Sequence, residues 1–74
     1  MSQNLTLDVR GLPAPQPMER VLDAIGEFVP GDRLKLLIDC EPRPLYRILE
    51  LNGYRHRTSP GAEAPYEVDI WTES

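Results

Sequence analysis

The chain has 74 residues, eight Lys and Arg against twelve Asp and Glu, a formal charge of −4 and a pI near 4.8. A chain this short buries only about 60% of its unfolded surface, so one domain over residues 1–74 with one thin core is expected, without a deep internal active site. A single Cys and a single His exclude an internal disulfide framework and a zinc finger, and no metal or other cofactor is expected. The acidic balance argues against nucleic acid as a partner. No apolar run approaches the roughly 18 residues of a membrane span. The opening Met-Ser-Gln-Asn-Leu-Thr lacks a basic segment followed by an apolar one, so a cytoplasmic location is expected; a monomer is expected as well.

Leu5 to Val9 alternates with period two and predicts a strand. Arg10 to Pro13 is a loop. Met18, Val21, Leu22, Ile25 and Phe28 recur at helical spacing and predict a helix from about Pro15 to Phe28. Pro15 and Pro17 suit its first turn, where a missing N–H costs nothing. Pro30-Gly31-Asp32 turns the chain. Arg33 to Ile38 is nearly continuous in apolar character, which predicts a central strand. A second helix is predicted from about Pro42 to Leu51, with Leu45, Ile48 and Leu49 on one face and Asn52-Gly53 as its stop. Tyr54 to Thr58 and Tyr66 to Trp71 read as two further strands around a turn-rich loop, Ser59 to Pro65.

The order βαβαββ predicts an α+β fold. A strand–helix–strand crossover favours parallel pairing of the first two strands, and the last two form a hairpin. Two helices cover one face of a four-stranded mixed sheet, giving a two-layer sandwich whose other face is wet. The eight prolines cluster at the element boundaries, so they punctuate a folded chain.

The stretch Leu7-Asp8-Val9-Arg10-Gly11-Leu12-Pro13-Ala14-Pro15-Gln16-Pro17-Met18 resembles the opening of the TusA/SirA sulfur-carrier family, roughly L-D-x-R-G-L-x-C-P-x-P. That family has the same element order, so the resemblance covers nearly the whole chain. It implies a cysteine before the first helix that carries a persulfide to a partner. A helix start favours the thiolate there. In this chain that position is Ala14, which holds no sulfur. The resemblance is closer to a sister branch of uncharacterised domains sharing L-D-x-R-G-L-P-x-P-x-P-M and a later E/D-P-x-P-L-Y, here Glu41-Pro42-Arg43-Pro44-Leu45-Tyr46. That branch often carries histidine where this chain has Cys40.

The candidate binding residues are therefore Asp8, Arg10, Gly11, Pro15, Pro17, Cys40, Glu41 and Arg43, with no catalytic residue. Asp8, Arg10 and Gly11 read either as a partner site or as a structural loop in which Asp8 pairs with Arg10. Parallel first strands bring Ala14 and Cys40 to one edge, where two helix starts flanked by Arg10 and Arg43 suggest an anion pocket. His56 is expected to point toward the helices with Tyr54 and Ile70. A symmetric hairpin would place Arg57 opposite Glu67 and Arg55 opposite Asp69 on the wet face, with Trp71 facing outward beside them. The expected function is a non-enzymatic binding or accessory domain in sulfur or redox metabolism, docking a protein partner through this edge. The alternative is a sulfur or redox carrier that uses Cys40 as a relocated thiol.

Overall fold

A computed structural model of the chain describes residues 3–72. Its elements are β1 (Asn4–Asp8), α1 (Gln16–Ile25), β2 (Arg33–Ile38), α2 (Arg43–Leu51), β3 (Tyr54–Ser59) and β4 (Tyr66–Thr72). The sheet order is β1-β2-β4-β3, with β1 and β2 parallel and the other pairs antiparallel. This is the expected α+β fold, with β2 interior as its apolar run requires.

Alternation decides which side chains meet the helices. Leu34, Leu36 and Ile38 of β2 and Val68 and Ile70 of β4 point to one face, where Val21 and Ile25 of α1 and Leu45 and Leu49 of α2 close the core. Leu36, Leu49, Val21, Val68 and Ile70 have no exposed surface at all. Leu51, at the end of α2, lies off this stripe and is 74% exposed.

The first helix ends at Ile25 and not at Phe28. Glycine at position 26 is a poor helix residue, and beyond it the chain tightens: Glu27 N donates to Ala24 O at 3.3 Å and Phe28 N to Ile25 O at 3.1 Å. Phe28 keeps its place against the core and meets Tyr54 edge-on, ring centroids 6.0 Å apart. The Tyr54 hydroxyl donates to the Ile25 carbonyl at 2.9 Å and satisfies a helix-end acceptor. The following turn is held by Asp32, which is buried and accepts from Val29 N at 3.0 Å and Gln3 N at 2.7 Å. These backbone donors hold its carboxyl below the usual range.

The hairpin register corrects the symmetric expectation. Arg57 lies opposite Asp69, Arg55 opposite Trp71 and His56 opposite Ile70. The ladder begins only at Ser59 opposite Glu67, because the loop folds back on Glu67 before the strands pair: Ala62 N donates to Glu67 Oε2 at 3.2 Å. A two-residue slip keeps every side chain on its face. Tyr54 and His56 accordingly do point toward the helices.

That same loop corrects the expectation of a uniformly wet outer face. Leu37 shares the outer face with Arg33 and Lys35 but is only 4% exposed, and the loop residue Ala64 is 5% exposed. The loop is pressed so closely that a Cβ at Gly61 would lie 2.5 Å from both the Ala64 carbonyl and the Glu67 side chain. One end of the outer face is thus covered, and the other end remains open.

Leu36→Ala is expected to lower stability by about 2–5 kcal/mol through lost burial and a cavity. Leu51→Ala, at an exposed position, is expected to stay within about 0.5 kcal/mol of the parent. Urea unfolding of the three proteins measures both.

Candidate functional site

Parallel strands end at the same edge, so the chain leaves β1 and β2 side by side and starts both helices there. The two loops are tied together by side chains. Arg10 donates from Nε to Asp8 Oδ1 at 2.9 Å and from Nη2 to Asp8 Oδ2 at 2.7 Å, a two-pronged pair. Its Nη1 reaches across to the Glu63 carbonyl of the β3–β4 loop. Gly11 has φ +79°, a left-handed conformation that suits glycine, and its N–H donates to Asp39 Oδ2 at 2.7 Å in the β2–α2 loop. Asp8, Arg10, Gly11 and Asp39 therefore clamp three loops to one another. The Arg10 hydrogen bonds pull the Asp8 carboxyl from its ordinary 3.8 to about 2.

Above the clamp the two helix starts stand apart and leave a cleft of about 240 Å³. Leu36 and Ile38 of β2 contribute to its base, Met18 and Val21 of α1 and Leu45 of α2 to its walls, and Ala14 and Cys40 also border it. The expectation that Ala14 and Cys40 share an edge is met in a sharper form, since both line one cavity. Pro15, the residue that caps the start of α1, and Pro17, in its first turn, line it too.

The cleft wall is apolar. Glu41 lines it, but its carboxylate is engaged by Arg43 Nε at 3.0 Å and the Tyr46 hydroxyl at 3.2 Å. Arg10 and Arg43 are each paired with a carboxylate, and neither lines the cavity. The arrangement is therefore no anion pocket. The chemistry of its lining suits an uncharged, apolar group. Cys40 is exposed at this edge.

Sequence reasoning proposed eight residues, of which Pro15, Pro17, Cys40 and Glu41 line the cleft, Arg43 pairs with Glu41 beside it, and Asp8, Arg10 and Gly11 form the clamp. It did not find the walls, Met18, Val21 and Leu45, whose helical spacing marks them equally well as ordinary core. It also missed a brace behind Glu41. The Tyr46 hydroxyl bonds Thr58 Oγ1 of β3, and the Tyr46 ring stacks on His56 with centroids 4.4 Å apart and planes 3° from parallel. Burial holds the Tyr46 phenol above its usual range. His56 Nε2 also lies 3.3 Å from Glu50 Oε2 on α2. No group of three or more His, Cys, Asp or Glu able to hold a metal ion is found among the described residues. No helix among them is long and apolar enough to cross a membrane.

A four-stranded mixed sheet, two helices on one face and an apolar cleft between their starts define a small α+β domain. The chain belongs to the family described as "Uncharacterized conserved protein (DUF2249)", whose model matches residues 6–72, from within β1 to the end of β4. No curated protein and no solved structure matches the chain.

The lowered Asp8 value carries a pH dependence. A carboxyl depressed in the folded state contributes stability that is fully present above 3.8 and is lost as pH falls toward 2. The pair is exposed, so the effect is modest and screened by salt. The stability difference between the parent and Asp8→Asn is expected to be constant at neutral pH, to shrink as pH falls below about 4 and to be lost as pH passes through about 2, as read from urea midpoints.

Proposed function

We propose that this is a non-catalytic binding domain that docks a protein partner through the edge where both helices start, seating an apolar side chain of that partner in the cleft. The cleft is the observation that carries this reading: about 240 Å³, apolar, and opening between Ala14 and Cys40. A cavity of about 150 Å³ holds a benzene ring, so this one has room for a large aliphatic or aromatic side chain. The clamp of Asp8, Arg10, Gly11 and Asp39 holds the two cleft-forming loops at a fixed separation, which lowers the ordering cost of docking. The resemblance to the TusA/SirA carriers suggests the setting, sulfur or redox metabolism. In those carriers a cysteine just before the first helix hands sulfur to a partner, and by this resemblance Ala14 stands in its place.

A second reading is favoured by one observation. Cys40 is exposed and borders the same cleft as Ala14. A thiolate there would attack the outer sulfur of a sulfurtransferase persulfide, form a persulfide on Cys40 and release the donor's thiolate. The domain would then carry sulfur from the neighbouring loop.

Cross-linked capture from cells, using the parent, Ala14→Trp, Arg10→Ala and Arg20→Ala as baits, separates edge from surface. A partner held by parent and Arg20→Ala, and reduced about tenfold or more by the other two, is the expected result. Equal recovery by all four removes this edge from consideration. Incubation with a cysteine desulfurase and cysteine, followed by intact mass, is expected to leave the parent unchanged. A gain of one sulfur that Cys40→Ala abolishes would establish the carrier reading instead.

A further inference from the structure

The open end of the outer sheet face carries a second surface, remote in the fold from the cleft. The register there sets two cross-strand rows. One runs Asn4, Arg33, Trp71, Arg55 and the next Thr6, Lys35, Asp69, Arg57. On a chain of net charge −4, these rows gather four of the eight Lys and Arg around one tryptophan and one aspartate. The four cations are exposed, and Arg55 is engaged within the chain. Glu67, from the covered end, approaches Lys35 at a loose 3.7 Å.

We infer that this patch of Arg33, Lys35, Arg57 and Trp71 is a docking surface for an acidic, extended segment of a protein partner. Charge complementarity gives the sign. Spacing gives the form: same-face residues of a strand repeat about every 6.6–6.8 Å, so Arg33 and Lys35 stand at the repeat of alternate carboxylates in an extended chain, with Arg57 across the sheet in the row of Lys35. The Arg33 guanidinium lies over the Trp71 ring, 5.0 Å from its centroid. This cation–π contact holds the guanidinium against the ring, and its fork of N–H donors matches a carboxylate. It also occupies the ring face on which a nucleobase would stack. The acidic remainder of the molecule opposes a long polyphosphate more than a short acidic segment. Both arguments select protein over single-stranded nucleic acid.

The test is fluorescence anisotropy at low salt with a labelled Glu-Thr-Glu-Thr-Glu-Thr-Glu peptide, its Gln-for-Glu counterpart and a short oligothymidylate. The acidic peptide is expected to bind, about tenfold or more tighter than either of the others, and to weaken as salt is added. Lys35→Gln combined with Arg57→Gln is expected to weaken it about tenfold, with the fold confirmed by circular dichroism. Arg20→Gln on α1 and Ala14→Trp at the cleft are expected to leave it unchanged, which keeps this surface distinguishable from the cleft. The inference is overturned if the acidic peptide does not bind, if the Gln peptide or the oligothymidylate binds as tightly, or if the double variant binds like the parent. It is also overturned if sedimentation shows self-association that the double variant abolishes and the acidic peptide fails to displace, since the occupant would then be a second copy of the chain.

Discussion

Parallel pairing of β1 with β2, with Leu5 opposite Leu34 and Leu7 opposite Leu36, places a strict demand on the chain. A parallel pair needs a crossover, and the crossover needs a helix to cover the apolar face it passes. The second crossover, through α2, lands on β3 beyond β4. Both strand-to-helix loops consequently leave from one edge, while the two helices sit over different parts of the sheet. The gap between their first turns is the cleft. Its apolar base is part of the core itself, since Leu36 and Ile38 line the cavity and belong to the buried cluster.

The polar residues around that edge do a different job from the one their charge suggests. Asp8, Arg10, Gly11 and Asp39 spend their hydrogen bonds on one another and on the Glu63 carbonyl. Glu41, Arg43 and Tyr46 do the same on the other side. Paired charges at a surface contribute little energy each, but they fix the relative position of loops that otherwise have only short backbone contacts. The result is an apolar opening in a rigid polar frame. The sheet's outer face has the opposite character: cations clustered about Trp71 at one end, and at the other a loop pressed on Glu67, beside the buried Leu37.

The fold was legible in the sequence because periodicity and punctuation agree at every element. Proline at both helix starts, Asn52-Gly53 at a helix end and the unbroken apolar run of β2 are local signals, and each element boundary fell within a few residues. The end of α1 was misplaced because Phe28 fits the helical repeat while its backbone does not; the ring reaches the core from a turn. The candidate residues at the cleft mouth were legible from motif and topology together. The walls were not, since nothing local separates a leucine that lines a cleft from one that fills a core. Nor was the cation patch, because the hairpin register depends on how a seven-residue connection between Ser59 and Glu67 packs on Glu67.

Taken alone, the sequence determined the element order, the parallel first pair and the buried face of each element. These follow from spacing within a few residues, and short-range spacing is what a chain encodes directly. Only the tertiary structure decided that Ala14 and Cys40 border the same apolar cleft, that Arg10 and Arg43 are consumed by pairing, and that Arg55 and Arg57 flank Trp71 and Asp69. Each of those depends on residues distant in the chain being brought together, and on a loop whose packing selects one register among those with the same facing.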